Sequence, residues 1–162
     1  MVPHHEGQGG VYPRNKDGKG VLHICAKVND KDTAGRVLEG FVDLGVQPRD
    51  GVNATEAGGV SALMVAAKYG SVGVAGMLWR AGANVNLQDQ EGRTALFYTT
   101  WEDDKSGKTF CNAKLYDALV DKAGADAGIA DHNGRKAQTP KEVQQESARP
   151  NAFAGLQAML GQ

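Results

Sequence analysis

Gly59-Val60-Ser61-Ala62-Leu63-Met64-Val65-Ala66-Ala67 returns 33 residues later as Gly92-Arg93-Thr94-Ala95-Leu96-Phe97-Tyr98-Thr99-Thr100. The glycine, the small pair before the leucine and the leucine itself keep their places. A fixed period of this length marks a chain built from stacked units, each too small to bury its apolar face alone.

The first of these stretches shows how one unit is made. Ser61 is placed to cap a helix, because its hydroxyl accepts from an orphan amide of the first turn. Residues 62–69 then read as a short helix, and Gly70 stops it, since glycine takes the positive φ that ends a helix. Val72, Val74, Ala75, Met77 and Leu78 give a second helix with apolar residues three and four apart. Gly73 and Gly76 weaken that helix by about 1 kcal/mol each relative to alanine, so stacking has to hold it. Gly82 ends it, and Ala83-Asn84-Val85-Asn86-Leu87-Gln88-Asp89 runs outward to a turn at Glu91-Gly92.

Helix, turn, helix, glycine and projecting hairpin resemble the ankyrin unit. The family pattern runs roughly D-x-x-G-x-T-P-L-H-x-A-A and closes its second helix with G-A-D-V-N. Gly82-Ala83-Asn84-Val85-Asn86 differs from that ending only at Asn84. Ala62 and Ala95 stand where the family has proline, and Met64 and Phe97 where it has histidine. Asn15 to Ala26 match the opening, with His23 in the histidine place. There the resemblance implies that His23 satisfies backbone groups between units. It also implies an all-α fold: an ankyrin-repeat solenoid of helix-turn-helix units with projecting β-hairpin loops and a C-terminal capping helix.

Spacing locates the remaining units. Val37-Leu38, Phe41-Val42 and Gly45 form the second helix and stop of the first unit. Leu115 to Val120 and Gly124 do the same for the third. Asp131-His132-Asn133-Gly134-Arg135 opens a fourth, followed by a helix start at Thr139-Pro140-Lys141-Glu142. Gly59 to Gly92 spans 33 residues and Gly92 to Gly134 spans 42, so the third unit carries nine extra. They fall between its helices, in a polar segment that reads as a solvated loop. Four of the eight extra residues between Gly18 and Gly59 lengthen the first hairpin, from Gln47 to Gly58. The expected organisation is a flexible tail over 1–14 and one repeat domain over 15–162. Its repeats cover about 15–55, 56–88, 89–130 with an insertion at 101–111, and 131–147. A capping helix is expected over 148–161.

Composition excludes several classes. The net charge of −1 gives no global pull toward nucleic acid or an anionic membrane. No apolar run is long enough to span a bilayer. Residues 1–20 lack the apolar core of a secretion signal, so the expected location is intracellular and cytoplasmic, although a signal already removed would look the same. Cys25 reads as a small buried thiol, and Cys111 lies in the polar insertion; nothing resembles a disulfide framework.

The motifs that suggest chemistry are incomplete. Ser106-Gly107-Lys108-Thr109 resembles the end of a phosphate-binding loop, but Glu102 stands where the loop needs its first glycine. Glu102-Asp103-Asp104 lacks the alternation of a calcium loop. None of the four histidines pairs with a cysteine or acid at metal-ligand spacing. Asn53-Ala54-Thr55 is a glycosylation pattern, relevant only in a secretory compartment. Asn86 occupies a place that the resembled family can have hydroxylated, and also suits a plain hairpin hydrogen bond. No catalytic residue, cofactor or metal is assigned.

In an ankyrin-like stack, hairpin tips and first helices line the concave side. The register then nominates Lys16, Lys19, Lys27, Lys68, Tyr69, Gln90, Glu91, Arg93, Trp101, Glu102, Phe110, His132 and Arg135 as partner-binding. Trp79 falls on a second helix, as back-surface or core packing. The expected activity is non-catalytic binding of another protein by a chain monomeric when alone. The alternative is a stoichiometric inhibitor of immunity type, blocking a specific enzyme.

Overall fold

A computed structural model describes residues 19–45, 51–102 and 109–148. The expected tail over 1–14 and the expected capping helix beyond Ala148 lie outside the described residues. The described chain is mostly helical. Helices α1 (Val21–Val28) and α2 (Lys31–Asp43) come first, then α3 (Ala62–Tyr69) and α4 (Val72–Arg80). A 3-10 turn (Phe97–Thr99) leads into strands β1 (Thr100–Glu102) and β2 (Thr109–Cys111). Helix α5 (Ala113–Asp117) continues as a π-helical turn (Ala118–Lys122), and α6 (Pro140–Ala148) closes the described chain.

Local chemistry sets these boundaries. Ser61 Oγ accepts the Met64 amide at 3.3 Å, while the Ser61 amide donates back to the Met64 thioether at 3.4 Å. This is a capping box with sulfur in the usual place of a carboxylate. Asp30 caps α2 by accepting from the Thr33 amide at 3.0 Å, and Asn112 caps α5 through the Leu115 amide at 3.1 Å. Gly45, Gly70, Gly82 and Gly124 all take positive φ where the helical segments end. At the start of α6, Glu142 accepts from the Thr139 amide at 2.7 Å, and the Glu142 amide donates back to the Thr139 hydroxyl.

An isolated eight-residue helix is marginal in water. Helix α3 persists because both of its flanks are covered: α1 packs on one side and the 3-10 turn on the other, with α4 behind. All six residues from Ala62 to Ala67 are buried. First helices thus form one row. Second helices form another, with α2 against α4. Leu22, Leu63, Leu78, Leu96, Leu115 and Leu119 run through the shared core.

The hairpins form a third row. Glu56–Val60, Asp89–Arg93 and Asp131–Arg135 close in the same way, each by an amide-to-carbonyl bond across five residues. Backbone rungs tie each to the next. The Gln90 amide donates to the Gly58 carbonyl, and the His132 amide to the Glu91 carbonyl, both at 2.9 Å. Further down, Asn53 Oδ1 accepts from the Asn84 amide at 2.7 Å, and Asn86 Oδ1 from the Asp126 amide at 2.8 Å. Both flagged asparagines therefore join neighbouring units. His23 Nε2 donates to the Val60 carbonyl at 3.1 Å, the inter-unit role implied by the resemblance.

Three local expectations need correction. The insertion is not simply a solvated loop: its ends pair as antiparallel strands, with Trp101 opposite Phe110. Threonine and aromatic residues at these positions favour extended backbone. The first helix of the third unit shrinks to the 3-10 turn. Tyr98, Thr99 and Thr100 are weak helix formers, and the Thr99 hydroxyl donates to the Leu96 carbonyl at 2.7 Å. The segment read as lengthened hairpin contains helical Gly51 and Val52, both buried, with Gly51 close against the Phe41 ring.

The tip glycines test the stacking. Gly92 has φ +80°, and a Cβ there would lie 2.9 Å from the His132 backbone nitrogen. Gly134 has φ +76° with open space around it among the described residues. Gly134→Ala should cost only the left-handed strain, about 1–2 kcal/mol. Gly92→Ala should cost about 3 kcal/mol or more because it also breaks a rung. Urea denaturation of the two variants checks the order.

Candidate functional site

A groove of about 490 Å³ opens along the ends of α1 and α3. It gathers four of the nominated residues, Lys19, Lys27, Lys68 and Tyr69. Lys27 and Lys68 are exposed, and Tyr69 is 49% exposed. Lys27 Nζ lies 5.7 Å from the centre of the Tyr69 ring, a cation–π contact across the gap between units. Ile24 and Val28 share the groove and are 46% and 64% exposed, so part of its wall is bare hydrocarbon. His23, Glu56, Val60, Val65 and Tyr98 also line it. Glu56 Oε2 is buried, with no hydrogen-bond partner among the described residues.

Ile24, Val28, Glu56 and Tyr98 were not nominated from sequence. A signal existed for the first two. On α1 they lie four residues apart, away from the buried face of Leu22, Cys25 and Ala26. Glu56 occupies the register position of Asp89, and a substitution there is visible once the repeats are aligned.

Gln90, Glu91 and His132 are exposed at the hairpin tips, clear of the groove lining. Arg93 is largely committed within its own hairpin. Its Nε donates to Asp89 Oδ2 at 3.0 Å, one Nη lies 3.0 Å from Glu91, and the other donates to the Tyr98 hydroxyl at 3.1 Å. Arg135 makes the same pair with Asp131, Nε donating to Oδ2 at 3.0 Å and one Nη lying 2.8 Å from it, while staying more exposed. Lys16 lies outside the described residues. Trp101, Glu102 and Phe110 sit in the paired strands, and their side chains are not described. Trp79 is partly buried against the core, as expected.

Asp89 is the hub of the third hairpin. Its Oδ1 accepts from the Glu91 and Arg93 amides, and its Oδ2 from Arg93 and from the Tyr98 hydroxyl at 2.7 Å. Burial opposes ionisation of Asp89. The hydrogen bonds from Tyr98, Arg93 and Glu91 outweigh it and hold the carboxyl below its ordinary value. Burial first, and then the bond to the carboxylate, push the Tyr98 hydroxyl well above the ordinary tyrosine range. The Asp131 carboxyl is also held low, against its own burial, by bonds from Arg135 and Asn133.

No set of three or more His, Cys, Asp or Glu side chains among the described residues is arranged to hold a metal ion. No helix among them is long and apolar enough to cross a membrane. Cys25 and Cys111 are free thiols.

The lowered carboxyls fix the direction of the pH dependence. The folded state binds these protons more weakly than the unfolded chain. Their stabilisation is complete above the unfolded value, near pH 4, and is lost as pH falls through the folded values. Melting temperature followed by circular dichroism should be flat near neutrality and drop below about pH 4. Tyr98→Phe should lower stability by about 1–2 kcal/mol at pH 7 by removing one bond to Asp89.

A family model described as ankyrin repeats, in three copies, matches residues 22–131. No curated protein matches the chain. The match covers more than half of the 162 residues, and its span takes in the hairpins Glu56–Val60 and Asp89–Arg93 and ends where the third, Asp131–Arg135, begins. This chain belongs to the ankyrin repeat family.

Proposed function

We propose that this chain is a non-catalytic module that holds a protein partner in the groove and along the hairpin tips. Ankyrin repeats are generally protein–protein interaction modules and are typically non-catalytic. The observation that carries the reading here is the groove itself. Exposed hydrocarbon from Ile24, Val28 and Tyr69 lies beside Lys19, Lys27 and Lys68 on a surface supported by a well-buried core. Interfaces combine an apolar centre with polar surroundings in this way, and tyrosine is enriched among their energetic anchors.

In this reading Lys19, Lys27, Lys68 and Tyr69 contact the partner directly. Gln90, Glu91 and His132 extend the surface along the tips. Lys16, Trp101, Glu102 and Phe110 belong to the proposed surface through their register positions. Arg93 and Arg135 chiefly brace the hairpins that present it.

Affinity capture from the source organism, followed by calorimetry with the captured protein, tests this. Tyr69→Ala together with Lys68→Ala should weaken binding at least tenfold, about 1.4 kcal/mol or more. Arg80→Ala, on an exposed position of the second-helix row, should leave it unchanged. Equal affinity of wild type and groove variant would place the interface elsewhere.

A further inference from the structure

We infer that the groove selects an acidic, extended peptide segment with an apolar side chain between its acids. The inference rests on the groove being the docking face, as proposed above. Its support comes from the lysine positions, the apolar wall and Glu56.

Lys27 and Lys68 occupy matching places, each following a buried alanine near the end of a first helix. Helices α1 and α3 pack side by side, and packed helices lie about 8–10 Å apart. An extended chain rises about 3.1–3.3 Å per residue, so three residues cross that distance. A polyproline-like segment returns to the same face every third residue. It can therefore aim carboxylates at both lysines at once. Ile24, Val28 and Tyr69 stand beside the two cations and offer hydrocarbon to a side chain carried between the acids.

Glu56 chooses between two classes of anionic partner. It lines the groove together with Lys27 and Lys68, and its charge opposes a run of closely spaced anions there. A peptide can space its acids to meet the two lysines and present a neutral residue toward Glu56. A nucleic-acid backbone brings phosphates close to Glu56 and has no apolar side chain for Ile24 and Val28. The net charge of −1 also gives no general attraction for phosphate, so the cationic character is local to this face.

Fluorescence anisotropy with the intact chain tests the selection. The probe is a short dye-labelled peptide with two glutamates three residues apart and a leucine between them. Controls are the same peptide with lysines for glutamates, the same peptide with glycine for leucine, and a single-stranded oligothymidylate. The acidic probe should bind at least ~10-fold more tightly than either control peptide and more tightly than the oligonucleotide. Lys27→Glu with Lys68→Glu should weaken it at least ~10-fold, as should a rise from roughly 0.05 to 0.5 M salt. Both lysines are exposed, and an unchanged circular dichroism spectrum shows that the double variant folds.

The inference is overturned by no binding of the acidic probe, by equal binding of either control peptide, or by a preference for the oligonucleotide. Insensitivity of probe binding to the double variant also overturns it. If the captured partner still depends on Tyr69 and Lys68 but docks a basic or neutral segment, the groove remains the docking face and this selection alone fails.

Discussion

Each hairpin must bring its backbone within hydrogen-bonding reach of the one before it, and the rest of the architecture follows from that. The rungs from Gln90 to Gly58 and from His132 to Glu91 leave little room for a Cβ between successive tips: it would lie 3.2 Å from the Gln90 nitrogen at residue 59 and 2.9 Å from the His132 nitrogen at residue 92. Glycine at residues 59 and 92 therefore answers two demands, a left-handed backbone and a close neighbour. Asn53 and Asn86 repeat the coupling lower down through their side chains. With the hairpins tied at two heights, the first helices align as a row, and their ends leave the long groove. In a stack of this kind stability resides in the junctions between units rather than in any one unit.

Much of this architecture was legible because helix ends are local events. Ser61, Gly70 and Gly82 act where the sequence placed them, since a cap or a positive φ needs only neighbouring residues. Counting residues also located the insertion between the helices of the third unit. It did not reveal paired strands, because spacing carries no information about φ and ψ. The 3-10 turn at Phe97–Thr99 was hidden for a related reason: the echo of 59–67 in 92–100 preserved position, while the threonines changed the local preference. Register nominated Arg93 and Arg135 as contact residues but did not show that each also pairs with the aspartate of its own turn, Asp89 or Asp131. Glu56 could be flagged only by alignment, and its buried oxygen depends on packing that no single segment encodes.

The two ends of the proposed binding face differ in character. Around the third hairpin, polar groups are mutually satisfied: Asp89 takes four donors and Tyr98 closes the set. In the groove the register partner of Asp89 is a glutamate, the partner of Arg93 is Val60, and apolar side chains stay exposed. Local departures from full satisfaction are where proteins most often carry function at some expense of stability. One repeat position thus braces a hairpin in one layer and lines the groove in the adjacent one.

Gly134 keeps the bent conformation of the earlier tips although no described residue lies over it. Its hairpin is already shaped to receive a successor, and the amide and carbonyl edges that would receive one belong to the main chain. An additional unit grafted here would find its template whatever its own side chains. Lengthening by segment duplication is therefore open to such a scaffold without redesign of the layers beneath.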